Sequence, residues 1–124
     1  MFDHVKFGVR NFAASRAFYL KALEPLGVTG ITEWPPDGIE IYPPVGESSL
    51  CLYQTSETPA HLHIAFEATS RDAVDAFYRA ALAAGGEDNG PPGLRPQYSG
   101  RYYAAFVLDP DGHNIEAVFH EPEG

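Results

Sequence analysis

The chain contains the same motif twice, as HVKFGVRNFAASRAFYLKALEPLG at His4–Gly27 and as HIAFEATSRDAVDAFYRAALAAGG at His63–Gly86. The two stretches lie 59 positions apart, align without a gap and share nine identities in 24 positions, far more than the composition alone would give. A repeat of this length that occurs twice indicates two copies of one supersecondary unit, because solenoids stack three or more short units. We therefore expect residues 1–124 to form a single domain of two modules, at approximately 1–58 and 59–124.

Each copy begins with a strand and a helix. Apolar and polar residues alternate at the start of both copies, which is typical of a strand with one buried face. Apolar residues then recur at helical spacing behind Asn11 and Ser70, two residue types that cap helix N-termini. Shorter apolar segments complete each unit as strands, at Val28–Glu33, Gly38–Tyr42 and Ser49–Tyr53, then weakly around Gly86–Asn89, and at Tyr102–Leu108 and Asn114–His120. The order βαβββ, present twice, predicts an α+β fold, and the Gly- and Pro-rich Gly90–Gly100 is expected to be a loop.

Several polar residues lie on the strand faces opposite the apolar residues that should meet the helices. His4, His63 and Glu116 share this property, and Cys51 occupies the position in the first module that Glu116 occupies in the second. Two imidazoles and a carboxylate can bind a divalent metal with open coordination positions, such as Zn, Ni, Fe, Mn or Co. The pattern alone also allows these residues to be solvent-facing or hydrogen-bonded without a metal.

The composition limits the functions that the chain can have. It has 17 acidic against 8 basic residues, a formal net charge of -9 and no cluster of Lys and Arg, which argues against binding to nucleic acid or an anionic membrane. No apolar run approaches the roughly 20 residues needed to span a bilayer, and the N-terminus has no signal-peptide pattern. A single cysteine cannot form an internal disulfide. We expect a soluble, cytoplasmic domain that binds a small molecule.

The motifs of the chain resemble those of the vicinal oxygen chelate superfamily, which includes glyoxalase I, bleomycin-resistance proteins, extradiol dioxygenases, fosfomycin-resistance proteins and methylmalonyl-CoA epimerase. The resembling segments are Asp3–Val5, Arg16–Tyr19, His63–Phe66 and, the most specific of them, Asp109–Glu116 with the sequence DPDGHNIE. The resemblance spans nearly the whole chain. It implies paired βαβββ modules whose curved mixed sheet encloses a cavity, with the helices on the outside.

Carried over to this chain, the resemblance implies a divalent metal held by His4, His63 and Glu116, with Glu116 also placed to carry a substrate proton. Glyoxalase I has a further carboxylate where this chain has Cys51, which argues against the standard glyoxalase I reaction. Cys51 is a weak fourth ligand, because a free cysteine more often behaves as a small hydrophobic residue. The family commonly forms homodimers, which we also expect here, sometimes with modules exchanged so that His4 and His63 reach one site from different chains.

Aromatic and basic residues outside the helices are candidates for the substrate pocket, namely Trp34, Tyr53, Arg95, Tyr98, Arg101 and Tyr102. Lys6 shares a strand face with His4 and either approaches the cavity or extends to its rim. The leading hypothesis is a glyoxalase-like metal-dependent enzyme, of the lyase, isomerase or dioxygenase type, acting on a small oxygen-chelating substrate. The alternative is a non-catalytic binding protein of the antibiotic-sequestering, bleomycin-resistance type. The net charge of -9 suits a cationic ligand and disfavours anionic substrates, whereas the His-His-Glu set favours the enzyme.

Overall fold

The computed structural model describes residues 2–46, 48–57 and 61–122, and within them the predicted order βαβββ occurs twice. The first module consists of β1 (His4–Val9), α1 (Phe12–Leu23), β2 (Gly30–Trp34), β3 (Gly38–Tyr42) and β4 (Ser49–Gln54), with a short 3-10 helix at Glu24–Leu26. The second consists of β5 (His63–Glu67), α2 (Arg71–Ala83), β6 (Glu87–Leu94), β7 (Tyr102–Leu108) and β8 (Asn114–His120). The strands β3, β7 and β8 begin and end where the sequence predicts.

In each module the first strand pairs in parallel with the last, and the other strands add antiparallel neighbours. The strand order is β1-β4-β3-β2 in the first sheet and β5-β8-β7-β6 in the second. A parallel pair requires a long crossover, which the helix and the two intervening strands provide. The prediction of two tandem mixed-sheet βαβββ modules is confirmed, and the eight strands of the described residues form two four-stranded sheets rather than a closed barrel.

Both helices begin at the predicted caps. The side chain of Asn11 accepts a hydrogen bond from the backbone N–H of Ala14 over 3.1 Å, and the hydroxyl of Ser70 accepts one from Ala73 over 3.0 Å. Each bond satisfies an amide group that the first turn of a helix leaves without a partner. Across the described ranges, no helix is long and apolar enough to cross a membrane.

One hydrophobic core joins the two modules. The helices contact each other, and their apolar residues pack with the inner faces of both sheets. Phe18 of α1 and Phe77 of α2, which are equivalent in the repeat, are both fully buried in this core. The opposite, outer face of each sheet is polar at its first strand, with His4 on β1 and His63 on β5.

The strand β6 is longer than predicted, and the loop prediction for Gly90–Gly100 is wrong over its first half. The pairing of β6 with β7 shifts register twice near its glycines, and its two prolines are tolerated because β6 is the edge strand of its sheet. The guanidinium of Arg95 donates to the carbonyl oxygens of Pro91 over 2.7 Å and Gly93 over 2.9 Å. These bonds provide partners for carbonyl groups in a stretch where the pairing of β6 with β7 is interrupted.

Candidate functional site

Glu116 is a buried carboxylate on the outer face of the second sheet. Only 2% of the residue is exposed, and both carboxylate oxygens accept hydrogen bonds. Nε2 of His63, on the neighbouring strand β5, donates to Oε1 over 2.7 Å, and the hydroxyl of Tyr102 donates to Oε2. Two of the three predicted metal ligands are therefore adjacent, and a predicted pocket residue is bonded to one of them, Glu116.

The surroundings of Glu116 explain how its carboxylate can be buried. Ala104, Phe106 and Val118 form a small apolar cluster on this outer face, and Tyr102 packs against it. A carboxylate among apolar groups is costly unless it is hydrogen-bonded, and Tyr102 supplies such a bond. Burial and the hydrogen bond to Glu116 raise the pKa of Tyr102 well above its ordinary value, so the hydroxyl stays protonated and remains a donor at neutral pH.

His4 lies on the outer face of β1 in the first sheet, with 53% of its side chain exposed. Its Nδ1 donates to Oδ1 of Asp3 over 2.7 Å. A carboxylate bonded to one ring nitrogen of a histidine fixes the tautomer and orients the other nitrogen for a metal. The bond to Asp3 leaves Nε2 as the ring nitrogen of His4 that could bind a metal.

The three predicted metal ligands do not meet within one chain. β1 belongs to the first sheet, whereas β5 and β8 belong to the second. Among the described residues, which include all three, the ligand atoms of His4, His63 and Glu116 do not all lie within 4.8 Å of one another. One chain therefore supplies the set in two parts, with His63 and Glu116 on one sheet and His4 on the other.

A carboxylate that the sequence does not single out, Glu40, lies two strands from His4 on the same outer face. The register of β3 and β4 places Glu40 opposite Cys51, on the outer face, and its Oε2 accepts a hydrogen bond from the Ser49 hydroxyl over 2.8 Å. Ser49 is itself the partner of His4 across β1 and β4. The alternation of Glu40 with two isoleucines places it on the polar face of β3, but only the strand order identifies its neighbours. The first sheet thus has a carboxylate one strand away from Cys51.

Trp34 and Tyr53, two of the predicted pocket residues, lie on either side of a glycine. Gly38 on β3 pairs with Trp34 on β2 and with Tyr53 on β4, so the three residues form one row across the outer face. We name this row the aromatic slot. Together with Lys6 and Cys51 it lines a pocket of about 510 Å³. The ammonium group of Lys6 lies 5.5 Å from the centre of the Tyr53 ring.

The other predicted pocket residues belong to the second sheet and the turn that precedes β7. The rings of Tyr98 and Tyr102 pack with their centres 5.0 Å apart. The guanidinium of Arg95 lies 5.3 Å from the centre of the Phe106 ring, and Arg101 immediately precedes β7. The predicted pocket residues are therefore divided between the two sheets in the same way as the predicted metal ligands.

A second group of potential ligand atoms lies in the turn between β7 and β8. Asp109, Asp111 and His113 each place one such atom within 4.8 Å of the others, close enough to hold a metal ion. The sequence does not single out this group, because its residues also fit the tight-turn chemistry of the segment DPDG.

Most of the potential ligand atoms of this turn already take part in hydrogen bonds. Asp109 accepts the backbone N–H groups of Asp111 and His113 and, over 2.5 Å, the hydroxyl of Tyr19 from the other module. Burial and then the nearby Asp109 raise the pKa of Tyr19 well above its ordinary value, so this hydroxyl is a donor. Nδ1 of the buried His113 accepts the backbone N–H of Leu62 over 2.9 Å, which leaves the proton of a neutral ring on Nε2. Nε2 of His113 is buried and has no hydrogen-bond partner in the described part of the chain, whereas the carboxylates of Asp109 and Asp111 are already bonded.

Comparisons with known proteins return proteins of this architecture. Residues 1–117 match the family model described as Glyoxalase/Bleomycin resistance protein/Dioxygenase superfamily. None of the curated proteins compared with the chain matches it. Among solved structures, a glyoxalase/bleomycin resistance protein from Albidiferax ferrireducens T118 is 29% identical with a TM-score of 0.82, and the match covers 97% of this chain and 99% of that one.

Two further structures share the fold at lower identity. A glyoxalase-related enzyme from Fulvimarina pelagi is 22% identical with a TM-score of 0.76, over 100% of this chain and 92% of that one. Lactoylglutathione lyase from Agrobacterium tumefaciens is 17% identical with a TM-score of 0.71, over 96% and 92% of the two chains.

Proposed function

Because the chain belongs to the glyoxalase/bleomycin resistance protein/dioxygenase superfamily, we propose that it is a metal-dependent enzyme acting on a small substrate with neighbouring oxygen atoms. The metal ligands in this proposal are His4, His63 and Glu116. The observation that supports it most directly is the buried carboxylate of Glu116, which lies 2.7 Å from Nε2 of His63 beside an apolar cluster. Buried carboxylates are rare unless they are paired with a charged partner or a metal.

The donor set suits a divalent cation. Asp3 orients the imidazole of His4, while His63 and Glu116 offer a nitrogen and an oxygen side by side. Imidazole and carboxylate ligands are compatible with Zn, Ni, Fe, Mn or Co. A bound ion of this kind supplies Lewis-acid polarisation of the substrate oxygens. The hydroxyl of Tyr102 holds Glu116 in position through Oε2.

We infer that a second copy of the chain completes the site. In a two-fold symmetric dimer, the first sheet of each chain can lie against the second sheet of the other, so that one contact is made twice. His4 of one chain then joins His63 and Glu116 of its partner. The division of the ligands between two sheets of one chain supports this arrangement.

Glu40 is the residue that we propose as a proton acceptor in this site. Glyoxalase-type isomerisation moves a proton between neighbouring carbons, which requires a base within reach. Cys51 offers no carboxylate, whereas Glu40 lies opposite it on the next strand, bonded to the neighbour of His4. Glu40→Gln should lower turnover by about 10²-fold at unchanged metal content, with Glu24→Gln, an exposed residue of the 3-10 helix, as control. Equal turnover in the two variants would remove Glu40 from the mechanism.

Metal content of the purified protein is the first test of the proposed function. We expect one divalent ion per chain by elemental analysis, either as purified or after titration with Zn, Ni, Mn or Fe(II). His63→Ala should abolish tight uptake, and His61→Ala, two residues earlier, should not. Protein that takes up no divalent ion contradicts the proposal. Uptake that survives His63→Ala but is lost in Asp111→Asn would assign the ion to the turn between β7 and β8 instead.

Mixed dimers test whether the site is shared between chains. His4→Ala and His63→Ala chains, each alone, should bind no metal tightly. Co-expressed with different affinity tags and purified through both, they should bind one ion per dimer, because one of the two sites then has all its ligands. If the ligands came from a single chain, the mixed dimer would bind none.

A second candidate function is supported by the aromatic slot and the net charge of -9. In this alternative the chain sequesters a cationic aromatic compound without catalysis. Thermal unfolding separates the two functions. A metal-induced increase in Tm that His63→Ala removes supports the enzyme, whereas an increase caused by cationic aromatic compounds that survives His63→Ala supports sequestration.

A further inference from the structure

We propose that the aromatic slot and Lys6 bind a flat aromatic anion, so that the substrate carries a planar ring and a carboxylate. This inference rests on the proposed function, because it names the substrate class of the same site. It is carried by three features of the first sheet, namely the width of the slot, the position of the Tyr53 ring and the local charge.

The slot is wide enough to admit one planar ring. Since β3 lies between β2 and β4, and neighbouring strands are about 4.8 Å apart, the backbones of Trp34 and Tyr53 are roughly 9.6 Å apart. A ring stacked between two others needs about 7 to 8 Å, twice the best separation of non-bonded carbon atoms. Gly38 keeps the floor of the slot open, because a Cβ there would lie 3.2 Å from Cβ of Trp34 and 2.9 Å from its carbonyl oxygen.

Both walls of the slot are available to a ligand. Trp34 is 59% exposed and Tyr53 is 43% exposed. Two large aromatic side chains exposed in one row form an apolar patch of the kind that marks binding sites. Both lie on the outer face, and neither belongs to a hydrophobic core cluster of the described residues.

A second glycine directs the Tyr53 ring towards Lys6. Gly8 pairs with Tyr53 across β1 and β4, and a Cβ on Gly8 would lie only 3.2 Å from Cζ of Tyr53. The ring therefore leans over β1 at a position that only glycine leaves open. The ammonium group of Lys6 stands 5.5 Å from the ring centre, at one end of the slot.

Lys6 provides a positive charge at that end of the slot. Lys6 is the one cation among the described residues that line the pocket, and it has no carboxylate within 4.0 Å in the described ranges. Asp37 also lines the pocket, from an exposed position on the turn between β2 and β3, and Glu40, on the other side of Cys51 from Lys6, accepts from Ser49. Charges further away than about 8 to 10 Å are largely screened. The net charge of -9 therefore does not exclude an anionic ligand here.

The geometry also connects the slot with the proposed metal ligands. Lys6 follows His4 by two residues on the same face of β1, a separation of about 6.6 Å along the strand. A substrate of one ring and a short oxygenated side chain is long enough to reach both residues.

The sole tryptophan of the chain, Trp34, lies in the slot and reports on binding through its fluorescence. We would titrate chelator-treated protein with phenylacetate, phenylacetamide and 2-phenylethylamine, which share a ring and differ in charge. Phenylacetate should bind about 5- to 20-fold more tightly than the amide, as expected for one charge-assisted contact. Lys6→Met should reduce phenylacetate binding to the level of the amide. Lys21→Met, which removes a charge from the exposed side of α1, should not.

Two results would overturn the inference. One is equal or tighter binding of the amide or the amine, and the other is a preference for the acid that Lys6→Met leaves unchanged. Tyr53→Leu keeps the tryptophan and should weaken all three ligands; if it weakens none, the stacking argument is wrong. Circular dichroism and Tm establish that each variant is folded. Because the titration is made without metal, a failure of metal uptake would refute the proposed function and leave this result standing, and the reverse also holds.

Discussion

Replacing Tyr102 by phenylalanine removes the hydroxyl that donates to Oε2 of the buried Glu116 and leaves the ring in place. A hydrogen bond to a charged group contributes about 1.5 to 3 kcal/mol. Tyr102 is half-buried, so water can replace part of that bond, and we expect the lower end, a loss of about 1.5 kcal/mol. For a domain of this size the loss corresponds to a decrease in Tm of about 5 °C.

The chain offers a matched control one residue away. The hydroxyl of Tyr103 donates to Oδ1 of Asp75 over 2.7 Å on the other face of β7, where the residue that accepts is half-buried, whereas Glu116 is fully buried. Tyr103→Phe should therefore cost less, about 0.5 to 1 kcal/mol. Urea unfolding at pH 7 measures both variants, and a double-mutant cycle of Tyr102→Phe with Glu116→Gln isolates the pair. A cycle without coupling, or a Tyr102 variant no less stable than the Tyr103 variant, would refute this account of the buried carboxylate.

Three further predictions concern the scaffold. The pKa of Tyr19 is higher in the folded protein than in the unfolded chain, so the protonated hydroxyl stabilises the fold fully below about pH 10, the ordinary tyrosine value. This stabilisation is lost as the pH rises above that value. Tyr19→Phe should therefore reduce the alkaline decrease in the free energy of unfolding by up to about 1.4 kcal/mol per pH unit. A Cβ on Gly86 would lie 2.8 Å from the carbonyl oxygen of Ala81, so Gly86→Ala should destabilise by about 1 to 3 kcal/mol, whereas Gly100→Ala, with no atom within 4 Å, should be nearly neutral by urea unfolding. Ser70→Ala removes the cap of α2 and should cost about 1 kcal/mol in the same assay.

The fold could be predicted from the sequence because its evidence is local. The alternation of apolar residues and the caps at Asn11 and Ser70 depend on neighbouring residues along the chain, and the repeat shows the same local pattern twice. The faces of β1, β4, β5 and β8 were predicted for the same reason, as for Leu50 and Leu52, which are buried around the half-buried Cys51.

The arrangement of the candidate site could not be predicted, because it depends on contacts between distant segments. The neighbours of Glu40 follow from the strand order, which alternation within β3 does not reveal. The separation of His4 from His63 follows from the packing of α1 against α2, and nothing local records it. The extent of β6 was missed because glycine and proline normally end a strand, whereas an edge strand tolerates them.

The bond from Tyr19 to Asp109 crosses from one repeat to the other, as does the packing of the two helices. A half-length chain would expose the partners of this bond and the apolar surface of its helix to water, so we expect that neither repeat folds stably alone. The unfolding of the protein should accordingly be a single cooperative transition. The two segments of the repeat are thus similar in sequence, and each is stabilised by its contacts with the other.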